Sequence, residues 1–183
     1  MRAIETARLR LRPFTPEDAA VYHAAIYADA EVMRYLPGGK PRTLERAREA
    51  VRLFADLHDG RAPSLYAVEP RAGGPLIGHC GLAVVPDTFE VELGYALARA
   101  VWGQGLATEA AQAALRYGFE SLDLAEVIAM AVPENLASQR VMQKIGMRHE
   151  GLTTTYYNGT ELVLYSISGL RFDPGDMPYR LIE

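Results

Sequence analysis

The chain has 183 residues, 49% of them apolar, and a formal net charge of −4 with its histidines neutral. That length and composition suit one folded domain with its own core, and the acidic balance argues against a nucleic-acid or anionic-membrane partner. The single cysteine, Cys80, excludes an intrachain disulfide and a cysteine metal cluster, no apolar run approaches membrane-spanning length, and the N-terminus lacks a signal-peptide core, so a soluble cytoplasmic protein is expected.

Arg8-Leu-Arg-Leu-Arg12 alternates strictly and predicts a half-buried strand stopped by Pro13. Thr15-Pro16-Glu17-Asp18 opens a helix, because Thr can cap, Pro suits the first turn and acids favour the positive end of the dipole. Leu36-Pro-Gly-Gly-Lys40 breaks the chain, and Thr43 opens a second helix that ends at His58-Asp59-Gly60. A short strand follows over 64–69, and strands 76–85 and 88–97 form an antiparallel hairpin around Pro86-Asp87. Cys80 falls inside the first of these, where a small core residue is the expectation. An Ala-rich helix spans 106–121, a strand 126–132 and a helix 135–145 ended by Gly146. A last hairpin, 147–156 with 161–168, turns at Asn158-Gly159, and residues 169–183 read as an irregular tail. The economical sum is one α+β domain over 1–168 with a mostly antiparallel sheet.

Chemistry concentrates first at Trp102-Gly-Gln-Gly-Leu-Ala107, where Gly103 and Gly105 leave the backbone bare as strand gives way to helix. Unpaired amides and the helix dipole there point at one spot and suit a phosphate. A plain tight turn would use the same glycines. The dinucleotide fingerprint fails, because Thr108 stands where its third glycine belongs, and no Gly-Lys-Ser/Thr follows for a Walker loop. The second concentration is Asn135, Ser138 and Arg140 at the start of the next helix. Asn135 reads equally as an N-cap or a ligand contact, and Arg140 as a phosphate contact or a solvated charge. His23, His58, His79 and His149 have no ligand spacing, so no metal is expected.

Together these pieces resemble the GNAT superfamily of N-acetyltransferases, and within it the RimJ/RimL-like branch that acetylates N-termini of ribosomal proteins. The matching segments run in order from Thr6-Ala-Arg-Leu-Arg-Leu-Arg-Pro13 through Gly94-Tyr-Ala-Leu97, Trp102–Ala110 and Tyr117-Gly-Phe119 to 135–146. The resemblance implies a sheet of about seven strands, flanked by about four helices and splayed between its fourth and fifth strands, here 88–97 and 126–132. It implies acetyl-CoA, with pantetheine in the splay along the backbone of Tyr95 and Leu97. The pyrophosphate would lie on backbone amides of Trp102, Gly103, Gln104, Gly105, Leu106 and Ala107, Asn135 would hold pantetheine, Arg140 could reach a CoA phosphate, and Ser138 counts among the cofactor contacts. Amides near Leu97 would polarise the thioester carbonyl.

Two positions depart from the pattern. Ala100 stands where the phosphate motif often begins with Gln or Arg, and Met142 stands where many members place a proton-donating Tyr. Ser138 is then the hydroxyl expected to serve the departing thiolate, or a water. Glu92, two residues before Gly94-Tyr95, is the candidate general base, its alternative being a solvent-facing strand charge. The expected acceptor is a protein N-terminal amine, with a small-molecule amine as the rival and a non-catalytic acyl-CoA-binding module as the rival from another class. An acidic chain would favour a basic acceptor, the resemblance places acceptor choice in 15–58 and 147–168, and a homodimer is a further partner to consider.

Overall fold

The computed structural model of the protein describes residues 3–58, 62–86 and 88–182. Asp59 and Gly60 of the expected helix stop and Asp87 of the expected hairpin turn lie outside the described residues. Among the described residues nine strands form one sheet in the order β7-β8-β6-β5-β4-β3-β2-β1-β9. They are β1 (Ala3–Glu5), β2 (Leu9–Arg12), β3 (Leu65–Pro70), β4 (Gly78–Val84), β5 (Val91–Leu97), β6 (Glu126–Ala131), β7 (Arg148–Thr153), β8 (Leu162–Ser168) and β9 (Arg180–Ile182). Five α-helices accompany them: α1 (Ala19–Tyr22), α2 (Ala30–Met33), α3 (Leu44–Asp56), α4 (Leu106–Ser121) and α5 (Leu136–Lys144).

Local chemistry explains most boundaries. In β2 Leu9 and Leu11 are buried while Arg10 is exposed, the alternation of a strand with one wet face. Arg12 fastens this strand to the next elements through ion pairs with Asp18 at 2.7 Å and Glu69 at 3.0 Å. Thr43 caps α3 by accepting the Arg46 amide. Helix α4 lays a run of fully buried alanines on β4 and β5, which lets its backbone lie close to the sheet, and Leu82 and Leu115 complete that core.

A second apolar cluster covers the opposite face, where Phe14, Tyr22, Ile26 and Tyr27 pack with α3 against Ala67, Leu76 and Ala96. The segment after Pro16 is not one helix. It passes from a 3-10 turn through α1 into a π turn at His23–Tyr27, a form often found beside functional sites.

The tail and the element count are corrected. The tail is not irregular to its end, because β9 pairs antiparallel with the unforeseen β1, Ile4 opposite Leu181. The sheet therefore has nine strands, and α2 is an added short helix. The last hairpin, β7 with β8, turns at Asn158-Gly159 as expected, through a 3-10 turn at Tyr157–Gly159.

The feature that positions the site is the splay. Strand β5 pairs with β4 along its whole length, Val91 with Val84 to Leu97 with Gly78. Its other neighbour, β6, is the one parallel partner, and the two register at Glu92 with Ile128 alone. Beyond that point the strands part toward their C-terminal ends. One end feeds the glycine turn before α4 and the other feeds Asn135 before α5.

Candidate active site

Backbone hydrogen bonds alternate sides along an antiparallel strand. The Ala98 amide bonds to the Ile77 carbonyl across the β4 edge. The even-numbered residues of β5 therefore face β4, and Tyr95 and Leu97 turn their backbone groups to the splay. The Leu97 carbonyl already accepts the Trp102 indole N–H at 2.7 Å. Trp102 thus braces the strand end, and the Leu97 amide is the group left to face the splay.

The splay opens into a cleft of about 320 Å³ bounded by Trp102, Gly103, Gly105 and Leu106 on one side and by Asn135, Ser138 and Arg140 on the other. Gly103 and Gly105 have φ of 75° and 76°, a conformation L side chains rarely adopt. A Cβ on Gly103 would meet nothing within 4 Å, and one on Gly105 only Arg8 at 3.7 Å. These glycines serve backbone conformation and open approach, not tight packing. Gln104 does not line the cleft. Its side chain folds onto the Ala100 carbonyl and its own carbonyl accepts Arg8 Nη1 at 2.9 Å.

Arg8 belongs to a clamp that sequence reasoning missed. Glu109, in the first turns of α4, accepts from the Thr6 hydroxyl at 2.6 Å, the Arg8 amide at 2.9 Å and Arg8 Nε at 2.7 Å. Burial pushes its carboxyl up, but these donors outweigh it and hold the group below the usual carboxylate range. The clamp fixes the glycine turn to the β1–β2 corner and offsets a negative charge near a phosphate-ready helix end.

On α5, Asn135 does cap the helix: its Oδ1 accepts the Ser138 amide at 3.1 Å, and the residue also borders the cleft. Arg140 and Lys144, four apart on one face, both line the cleft, and neither has a carboxylate partner among the described residues. Lys144 was not foreseen, although its i,i+4 spacing from Arg140 was available as a signal. Met142 is fully buried in the core, 0% exposed.

Ser138 meets Tyr95. Their hydroxyls lie 2.8 Å apart, and the Tyr95 hydroxyl also donates to the Ser138 carbonyl at 3.1 Å. Burial pushes the Tyr95 phenol up and the Ser138 contact opposes it. The Tyr95 hydroxyl has one proton: turned to the Ser138 carbonyl, it accepts the serine's proton on its oxygen; turned to Ser138 Oγ, it leaves the serine's own proton for a third partner. The sequence reading used Tyr95 only through its backbone.

A second cavity, about 720 Å³, adjoins the first and shares Tyr35, Leu36, Tyr95 and Ser138 with it. Glu92 lines this cavity, and Tyr157 donates its hydroxyl to Glu92 Oε2. Burial pushes the Glu92 carboxyl up to about 6, against the lowering effect of Tyr157. Glu90 accepts the Tyr156 hydroxyl at 2.8 Å. His79 lies in the wall of the same cavity, Nδ1 3.0 Å from the Tyr22 hydroxyl, and burial lowers it to about 4, so it is neutral. His149 is exposed against the Tyr165 ring, in neither cavity. Cys80 is buried and its thiol is pushed up by burial, which removes it as a nucleophile. Among the described residues there is no group of three or more metal-ligating side chains and no helix long and apolar enough to cross a membrane.

Comparison with known proteins agrees with this arrangement. The family model described as an acetyltransferase (GNAT) domain matches residues 8–148. A Bacillus subtilis protein named uncharacterized N-acetyltransferase YnaD is 37% identical over 149 residues, 81% of this chain and 84% of its own. The crystal structure of a GNAT-family acetyltransferase from Bacillus anthracis is similar at a TM-score of 0.79 and 31% identity, covering 92% of this chain and 99% of its own. RimL, the ribosomal L7/L12 alpha-N-protein acetyltransferase solved with coenzyme A, shares the fold at a TM-score of 0.75 and 19% identity, over 90% of this chain and 98% of its own.

Proposed function

The chain belongs to the GNAT acetyltransferase family and uses acetyl-CoA, and we propose that it transfers the acetyl group directly to an amine, with a protein N-terminal α-amino group as the favoured acceptor. The observation that carries direct transfer is the wall shared by the two cavities. Tyr95 and Ser138 face both, and Glu92 lines the second. Acetyl-CoA supplies the activated thioester. The residues that fit it are the bare turn at Gly103 and Gly105 for the pyrophosphate, Arg140 and Lys144 for phosphate charge, and the Tyr95–Leu97 edge for pantetheine.

The chain's own groups then divide the work. Glu92, ionised above about pH 6, receives the proton that the acceptor nitrogen must lose, directly or through a water. Ser138, steadied by Tyr95, donates a hydrogen bond toward the departing sulfur. The amide edge near Leu97 offers a donor to the carbonyl oxygen as negative charge builds on it. A carboxylate titrating near 6 is a modest base. An α-amino group has a pKa near about 8 and a lysine near about 10.4, so the former gives up its proton far more readily to such a base. That difference favours an N-terminus over a lysine side chain.

The test is thiol release from acetyl-CoA across a panel of free and N-blocked peptides and small amines. Turnover with free but not blocked peptides supports the reading. Turnover with small amines alone moves the acceptor to that class, and thiol release with none of them contradicts amine transfer.

A further inference from the structure

The acceptor cavity carries a charge pattern opposite to that of the whole molecule. The chain is acidic, at −4. Among the described residues the charged side chains lining the cavity are nevertheless Arg34, Arg42 and Glu92. Arg42 is half-buried and held in place: its guanidinium stacks 5.1 Å from the Tyr27 ring centroid and donates to the Tyr27 hydroxyl and the Pro37 carbonyl. Tyr27 packs in turn on Tyr22, ring centroids 5.0 Å apart. Arg34 is exposed and lies over Tyr35, a residue of the shared wall, at 5.3 Å. Neither arginine has a carboxylate partner among the described residues. A half-buried guanidinium, oriented but without a counter-charge, is a site an anion would complete.

We propose that the acceptor amine bears a carboxylate or equivalent anion, bound by Arg42 with help from Arg34, while its nitrogen approaches Glu92. The proposal rests on the reading of this cavity as the acceptor site. It reverses the expectation that an acidic chain selects a basic acceptor, since a polyamine would bring further positive charge against two arginines. The anion has two sources, the α-carboxylate of a free amino acid or an acidic side chain just after a peptide N-terminus.

The experiment measures kcat/KM by thiol release and, separately, acceptor binding by calorimetry on CoA-loaded protein. An amino acid is compared with its carboxamide, and tripeptides are compared with Asp, Asn or Lys at the second position. The anionic member of a set should be favoured by about tenfold or more, and the set that shows it identifies the source. Arg42→Gln should erase the preference and Arg42→Lys retain part of it, with acetyl-CoA affinity unchanged. If Arg42→Gln does not fold, Arg34→Glu at the exposed position should weaken the anionic member selectively. Equal or better use of the neutral or cationic member overturns the proposal and leaves acetyl transfer standing. Selective anion binding without thiol release from any amine upholds the charge assignment and overturns acetyl transfer.

Discussion

The two cavities share a wall but are built by different means. The cleft proposed for the cofactor offers mostly backbone: two left-handed glycines, a helix end and a strand edge freed by the splay. The polar side chains that α5 and its cap give it, Asn135, Ser138, Arg140 and Lys144, lie close together in sequence. The cavity proposed for the acceptor is mostly side chains from remote segments, with Tyr27 and Arg42 from the N-terminal region, Glu92 from β5 and Tyr157 from the last connection. A backbone site accepts one cofactor in many sequences. A side-chain site can be rewritten without disturbing it, which is how one fold serves many acceptors.

Substitutions should separate these halves. The largest effect is expected at Glu92→Gln, a loss of about 10²–10⁴-fold in kcat/KM with acetyl-CoA affinity unchanged; a matching loss of cofactor binding would blur the division. The same change should stabilise the fold above pH 6. Burial raises the Glu92 carboxyl from 4.5 to about 6, so its contribution to stability is fully present in acid and is lost as pH rises through about 6. The difference is at most about 2 kcal/mol and should show as a higher Tm for the variant at pH 8 than at pH 5, relative to wild type.

Gly105→Val strikes the other half. It should weaken CoA by about tenfold or more, since each amide contact to a charged group contributes about 1.5–3 kcal/mol, and should lower Tm because Val is strained at φ 76°. Calorimetry that finds wild-type CoA affinity would remove the glycine turn from the site. At the shared wall, Ser138→Ala should reduce kcat by about tenfold with acetyl-CoA affinity near normal; unchanged turnover would hand the sulfur to a water. The smallest effect belongs to Tyr157→Phe. Its hydroxyl lowers the Glu92 carboxyl, so its loss should move the acid limb of the rate profile upward, with a few-fold deficit near pH 6 and none at pH 9.

The sequence exposed the backbone half far better than the other. Helix 106–121 was readable to its ends, because its glycine entry and apolar face are local signals. So were the end of β5 at Leu97, although the strand starts at Val91 and not at 88, and the Asn135 cap of α5. What was hidden arises from contacts between distant residues. Tyr95 and Ser138 are 43 residues apart, Tyr157 and Glu92 are 65 apart, and Thr6 and Glu109 are 103 apart. The strand β9 is three residues long and has meaning only beside β1. A lone Tyr or Glu carries no mark of its partner, so nothing local in the sequence ties Tyr157 to Glu92.

The central claim is that Glu92 takes a proton at the junction of a generic cofactor cleft and a specific acceptor cavity. The most direct test is the pH dependence of kcat/KM for wild type and Glu92→Gln on one accepted amine, with acetyl-CoA saturating. The account predicts a wild-type acid limb near pH 6 that is missing in the variant, and a defect largest below the acceptor's pKa that shrinks as neutral amine accumulates. Parallel profiles, with the same defect at every pH, would contradict it and leave Glu92 as a group that only positions the acceptor.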